Sequence, residues 1–189
     1  MDAVEHLLQS RTIGDLSVED IAAEAGISRS GFYFYFESKY AALGDALSDV
    51  ADAMERAADD FFEDTGREPR DYVNDALTGV AAMWRSHADL LVAVVDAAHS
   101  EAGARVLWDD WRARFIDGIA RSIEEERRAG RAHGNGVATE DLARVLLGMN
   151  LSTFYELARS RASDEEAERA VAALSSVWLA AVWGISPGH

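Results

Sequence analysis

An all-α fold is predicted for this 189-residue chain, and three observations carry the prediction. Apolar residues recur at three- and four-residue spacing along nearly the whole length, the pattern of helices that bury one face. Ala, Leu, Glu and Arg, all good helix formers, are among the dominant residues, and only two prolines interrupt them. Only one short aromatic run competes as a strand. Nine helices are expected, in a small N-terminal head and a larger, apolar-lined body.

Val4, Leu7 and Leu8 open the first amphipathic turn. Ser17 is expected to cap the second helix, with Asp20 three residues on as a capping-box variant and Ile21, Ala22 and Ala25 inside. Gly26 allows the left-handed turn that ends this helix, and Ser28 caps the third. The third helix contains Phe32-Tyr33-Phe34-Tyr35-Phe36, and five consecutive aromatics have strand propensity. Helix is preferred because it gathers Ile27, Phe32 and Phe36 on one face and Arg29, Ser30 and Tyr33 on another.

Ser38 is expected to cap a long helix to about Asp64, with Leu43, Leu47, Val50, Met54, Ala57 and Phe61 inside. A loop at 65–69 leads to a helix over 70–87 with Tyr72, Val73, Leu77, Val80, Ala81 and Trp84 as its stripe. Residues 90–98 are nearly all apolar, as in a buried helix. Trp108, Trp111, Phe115, Ile119 and Ile123 then repeat every three or four residues within a helix over 101–130. After a loop at 131–138, Thr139 should cap a helix carrying Leu142, Val145, Leu146, Met149, Thr153, Phe154 and Leu157. Ser163 or Asp164 starts the last helix, with Val171, Leu174, Trp178 and Val182 inward. No flexible linker is visible, so the division into residues 1–45 and 46–189 falls along the Ser38–Asp64 helix.

Composition narrows the function. The absence of cysteine excludes disulfides, thiolate metal sites and Cys nucleophiles. The first ten residues have neither the basic nor the apolar part of a signal peptide. The longest uncharged run near the end, Ala170–Ile185, is 16 residues, short for a membrane span. A cytoplasmic protein without a membrane partner is therefore expected. The net charge of −16 runs against nucleic-acid binding at first sight, and residues 1–45 hold three basic side chains against eight acidic ones. Local potential matters more than the total, so Arg11, Arg29 and Lys39 would have to be well placed.

Two short helices around a glycine turn, the second polar at its start and aromatic at its end, suit an element that pushes one turn into a DNA groove. Arg29 can pair with guanine O6 and N7, Gly31 permits close approach, and Tyr33, Tyr35 and Lys39 can reach phosphate. The helix-start amides at Ser17 and Ser28 can also receive phosphate oxygens. A helical hairpin with an aromatic plug accounts for the spacing equally well.

In the body, Asp96 and His99 have the spacing of a carboxylate-bundle ligand pair, but no second pair accompanies them, so His99 is read as solvated or capping. No glycine-rich phosphate loop or nucleophile elbow occurs, and neither catalytic residues, metal nor cofactor are expected. Trp84, Trp108, Trp111, Phe115, Phe154, Tyr155 and Trp178 could line a small-molecule pocket or simply fill a core. Asn150, an amide among apolar residues, either anchors a ligand or bonds a neighbouring helix.

Residues 13–43 closely resemble the DNA-binding domain of TetR-type transcriptional repressors. The resemblance rests on Ile21-Ala22-Ala23-Glu24-Ala25-Gly26-Ile27-Ser28, Arg29-Ser30-Gly31, the run Phe32 to Phe36, and Ser38-Lys39. The remainder is similar, more weakly, to the regulatory domain of the ethionamide-resistance-regulator subgroup, through Trp84-Arg85-Ser86-His87, Leu107-Trp108, and Gly148-Met149-Asn150 with Thr153. The resemblance implies a nine-helix TetR-like architecture, a helix-turn-helix head on a ligand-binding and dimerisation body. It also implies base-side contacts from Arg29, Ser30, Gly31 and Tyr33, and phosphate contacts from Ser17, Ser28, Tyr35 and Lys39. It points to a pocket lined by Val73, Val80, Trp84, Trp108, Phe115, Asn150 and Trp178. Family members usually have a longer, basic approach to the first helix, so either the true start lies upstream or this chain makes fewer phosphate contacts.

The apolar faces of the last two helices, with Leu146, Met149, Val171, Leu174, Val177 and Trp178, suggest a homodimeric four-helix bundle. The expected function is a ligand-responsive repressor released from a palindromic DNA operator by a hydrophobic small-molecule effector. An all-helical carrier or enzyme for hydrophobic molecules, using the same cavity and no DNA, is the alternative.

Overall fold

The computed structural model describes residues 2–62, 67–134 and 136–185, with side chains described for all of these except residues 2, 51 and 53–62. In chain order the helices are α1 (Asp2–Leu8), α2 (Val18–Glu24), α3 (Arg29–Tyr35), α4 (Lys39–Phe62) and α5 (Pro69–Ser86). Then come α6 (Ala88–Ala98), α7 (Ala102–Arg128), α8 (Thr139–Ser160), α9 (Asp164–Trp178) and a π-helical turn (Leu179–Trp183). These nine α-helices are accompanied by no strand among the described residues, and the aromatic run is helical.

The described residues pack into two compact units, one of Met1–Ala53 with Ser86–Trp111, the other of Met54–Arg85 with Arg112–His189. In the first, α1 packs on α2 and α6, and α2 on α3. Val4, Leu8, Ile13, Leu16, Ile21 and Phe32 are buried here, as are Leu43 and Leu47 of α4 and Leu90, Leu91 and Val94 of α6. The expected inward positions Met54, Ala57 and Phe61 lie outside the residues whose side chains are described.

Two expected inner positions face water instead. Ala25 is the C-cap of α2, beyond its last helical residue, and Ile27 sits in the turn before α3 and is 38% exposed. Both follow the end of helical register, so periodicity no longer governs them. Ser17 and Ser28 do cap, their hydroxyls accepting from the backbone N–H of Asp20 and Gly31 at 3.1 and 3.0 Å. Gly26 supplies the left-handed residue between the helices at φ 68°.

The start of α4 lies unusually close to the start of α7. Tyr40 donates its hydroxyl to Glu101 Oε2 at 2.6 Å, and burial together with that bond pushes the phenol up to about 12. A Cβ on Gly103 would lie 2.7 Å from the Tyr40 ring, and one on Gly44 would lie 2.9 Å from Leu107. Gly103→Ala must therefore displace a ring already tethered at its far end. It is expected to lower stability by about 1–3 kcal/mol, read as a fall in thermal midpoint.

In the second unit α8 packs on α9, and Ile123, Leu142, Leu146 and Val182 form a core cluster joined by Ile119, Met149, Trp178 and Trp183. The π-helical turn ends at left-handed Gly184 (φ 68°), and Val182 O accepts from the His133 amide at 2.8 Å. Trp183 donates its indole N–H to Glu126, which also holds Arg131 at 2.6 Å, while Tyr72 meets the Trp183 ring edge to face at 5.2 Å. Ser163 caps α9 in a complete capping box with Glu166, whose carboxyl is held below its ordinary range by the Ser163 amide and hydroxyl.

Thr139 does not cap α8. It is the first helical residue, after Ala138, which makes no side-chain cap bond. Val145, expected in the buried stripe, is 68% exposed, because the stripe runs through Leu142–Ala143, Leu146–Leu147, Asn150–Leu151 and Phe154 and leaves Val145 outside it. Of the apolar residues assigned to a dimer bundle, Leu146, Val171 and Leu174 are buried within the unit itself, whereas Val177 is 46% exposed. No helix among the described residues is long and apolar enough to cross a membrane.

Candidate nucleic-acid interface

Phe32 decides how α3 sits. It is 1% exposed, with Phe36 four residues on half-buried and 5.5 Å away between ring centroids. The helical repeat then turns Arg29, Ser30, Tyr33, Phe34 and Tyr35 outward, and all five are exposed. Gly31 is half-buried, and a Cβ there would press on the capping Ser28 hydroxyl at 3.3 Å, so glycine preserves the cap. The Ser28 and Ser30 hydroxyls are bonded at 2.9 Å.

Arg29 is already engaged by its neighbours. Its guanidinium lies 5.7 Å from the centroid of the Tyr33 ring and 2.5 Å from Glu19 of α2. Glu19 was not singled out from sequence, since only the packing of α2 on α3 brings residues ten apart together. Phe34, 81% exposed, was missed too. Counting 100° per residue from Phe32 would have found it, opposite the core.

Two other acids of α2 are also engaged. Asp20 meets Arg11 (3.1 Å) and accepts from the Ser17 hydroxyl and amide (2.6 and 2.8 Å), which together hold its carboxyl well below the usual carboxylate range. Glu24 lies 2.6 Å from His6. Pairing Glu19 with Arg29 and Asp20 with Arg11 leaves less negative potential at the α3 face than the composition suggests.

A depressed carboxyl stabilises the fold fully above its unfolded value of about 4, and that contribution falls away as pH drops through the native value. Acid unfolding of the wild type should therefore be steeper below pH ~4 than that of Asp20→Asn. A pair of stability curves that run parallel there would contradict this account of Asp20.

Lys39 behaves differently from a dangling phosphate contact. Its ammonium donates to the carbonyls of Ile13, Gly14 and Leu16 at 2.8, 3.1 and 3.0 Å, tying the turn after α1 to the start of α4. This uses its three N–H donors while leaving its charge in place. If Arg29 contacts DNA as expected, Glu19 competes for it, and Glu19→Gln should raise DNA affinity a few-fold. Titration of labelled duplex at fixed salt measures this, and an unchanged or weaker affinity would show the pair to be irrelevant.

In the second unit Val73 and Trp84 are buried, and Val80, Phe115 and Trp178 are half-buried. Asn150 is 7% exposed, and its Oδ1 accepts the Trp178 indole N–H at 3.1 Å, so the bond to a neighbouring helix is the one observed. The buried indole N–H of Trp84 has no hydrogen-bond partner among the described residues. Trp108 belongs to the first unit, where it stacks on Trp111 at 4.8 Å with the planes 14° apart. His99 ends α6, its Nδ1 2.9 Å from the Val95 carbonyl oxygen, a capping position.

A buried aromatic anchor, an outward polar first turn and a capped partner helix form a helix-turn-helix element in an all-helical chain. The tetR family of bacterial regulatory proteins matches residues 1–44, and the C-terminal domain of the transcriptional regulator EthR matches residues 73–184. This chain belongs to the TetR family, and within it to the regulators with an EthR-type C-terminal domain. It is 33% identical to the HTH-type transcriptional regulator EthR of Mycobacterium tuberculosis, over 95% of this chain and 83% of that protein. The EthR of Mycolicibacterium smegmatis is 28% identical over 97% and 84% respectively. In fold it is similar to the TetR family transcriptional regulator PfmR from Thermus thermophilus, with a TM-score of 0.67, 17% identity, and coverage of 93% of this chain and 94% of that one. The protein is thus a DNA-binding transcriptional regulator and not an enzyme.

Proposed function

We propose that the protein is a cytoplasmic, homodimeric repressor that binds a palindromic operator and leaves it when a hydrophobic small molecule occupies its body. The observation that carries this reading is the orientation of α3, with Phe32 buried and Arg29, Ser30, Tyr33 and Tyr35 presented to solvent.

Arg29 donates to a guanine edge, Ser30 and Tyr33 meet neighbouring base edges, and Gly31 keeps the backbone close. Ser28 and Tyr35 bond phosphate oxygens, Ser17 does so by exchanging its bonds to Asp20 for the phosphate, and Lys39 adds positive charge beside them from its clamped position. Residues 1–45 are the DNA-binding part and 46–189 the effector and dimer part. Exposed Val145 on α8 and Val177 on α9 supply apolar surface for a second copy. A two-fold dimer would hold two α3 helices one helical turn of DNA apart, about 34–36 Å.

The effector site is proposed among Val73, Val80, Trp84, Phe115, Asn150 and Trp178. Apolar walls would hold a hydrophobic molecule, and the Trp84 indole N–H is a donor for a carbonyl or ether oxygen. Occupation shifts α4, the helix that begins at Lys39, and alters the spacing of the two heads; a coupling of about 1–3 kcal/mol suffices for a useful response. The test is a mobility-shift titration with the DNA flanking the protein's own gene. Folded protein that shifts none of it, even at low salt, overturns the reading.

A further inference from the structure

The most exposed large apolar side chain of α3 is an aromatic hydrocarbon. Phe34 is 81% exposed, against 1% for Phe32 two residues before it. Two residues are 200° around an α-helix, so Phe34 and Ser30, four apart, share the line opposite the buried anchor. Arg29 and Tyr33 flank that line on one side and Tyr35 on the other. The Tyr35 ring stands edge-on to Phe34, with centroids 5.0 Å apart and planes at 86°, and braces it from the side.

This position needs a partner that a phenyl ring can satisfy. Phe34 offers no hydrogen bond to a phosphate or to a polar base edge. On the floor of the major groove the one apolar group is the C5-methyl of thymine. A phenyl ring lying between Arg29 and Tyr33 on one flank and Tyr35 on the other enters the groove wherever they do.

We propose that Phe34 is a specificity-determining residue that packs its ring against a thymine methyl in each operator half-site. The proposal rests on the DNA-binding reading of α3 and adds the base type read at its outermost position. Because Ser30 and Phe34 are about 6 Å apart along the helix, the thymine lies about two base pairs from the pair that Ser30 meets.

The experiment begins with an operator selected by the full-length protein from random-sequence duplex. Each thymine in turn is replaced by deoxyuracil, which removes the methyl and nothing else. The expected result is a loss of about three- to tenfold in affinity at one symmetry-related thymine pair, consistent with the loss of one or two buried methyl contacts. Phe34→Ala should bind the thymine and uracil duplexes equally, while its salt dependence stays that of the wild type, since no phosphate contact is lost. Phe34→Leu should keep part of the discrimination.

If no thymine is sensitive to loss of its methyl, or if Phe34→Ala still distinguishes thymine from uracil, the assignment fails while DNA binding stands. If the wild type selects no duplex at all, the DNA-binding reading itself fails, and this assignment with it.

Discussion

Arg29→Ala is expected to lower specific operator affinity by at least about 30-fold and leave the fold untouched. Each bidentate arginine–guanine pair contributes roughly 1–3 kcal/mol of discrimination, and the proposed dimer would lose two of them. The side chain is 61% exposed, so its removal opens no cavity, and the Glu19 carboxylate left behind remains in water. Affinity for non-specific duplex should fall much less than affinity for the operator. Measuring both at one salt concentration separates base recognition from charge. Equal losses on the two duplexes would mean that Arg29 acts only as a cation near the backbone. Arg29→Lys is not a conservative control, because an ammonium cannot reproduce the fork of donors.

Phe32→Ala should have the opposite signature. The ring is 1% exposed and is the only buried side chain of α3. A buried Phe truncated to Ala usually costs about 3–5 kcal/mol, part for lost transfer and part for the cavity left behind. For α3, seven residues long, such a loss removes most of what holds it, since a helix this short is not stable alone. DNA binding is then expected to disappear along with amide protection in α3, while the second unit keeps its thermal transition. Phe34→Ala, the same chemical change two residues on, should leave thermal stability within about 0.5 kcal/mol of wild type, as at other surface positions. A comparable destabilisation by both substitutions would be incompatible with the α3 orientation described here.

Much of the head was legible from local chemistry alone. Ser17, Asp20, Gly26 and Ser28 act within one or two helical turns of their own positions, so capping rules and the glycine turn place α2 and α3 without knowledge of the rest. The same locality explains why the aromatic run reads correctly as helix: Phe32 and Phe36 share a face only at helical spacing. Where register ends, the reading failed. Ala25 and Ile27 lie outside the helices whose periodicity would bury them, and the cap position expected at Thr139 falls one residue earlier, at Ala138.

Long-range partners were beyond that reach. Lys39 read as a cation beside the DNA backbone, yet its ammonium is bound to three carbonyls more than twenty residues earlier. The partner of Asn150 is a tryptophan 28 residues away, and the packing of Gly103 on Tyr40 spans more than sixty. The pairing of Arg29 with Glu19 likewise exists only once α2 and α3 have packed.

From the order of residues alone came the helical class, the two-helix recognition element and its family, because repeat spacing, caps and turn glycines act over a few residues. Which cations stay available, which acids are neutralised and which ring faces outward came only with the packed chain. Those properties depend on distances between segments far apart in sequence, and on a helix rotation set by one buried phenylalanine.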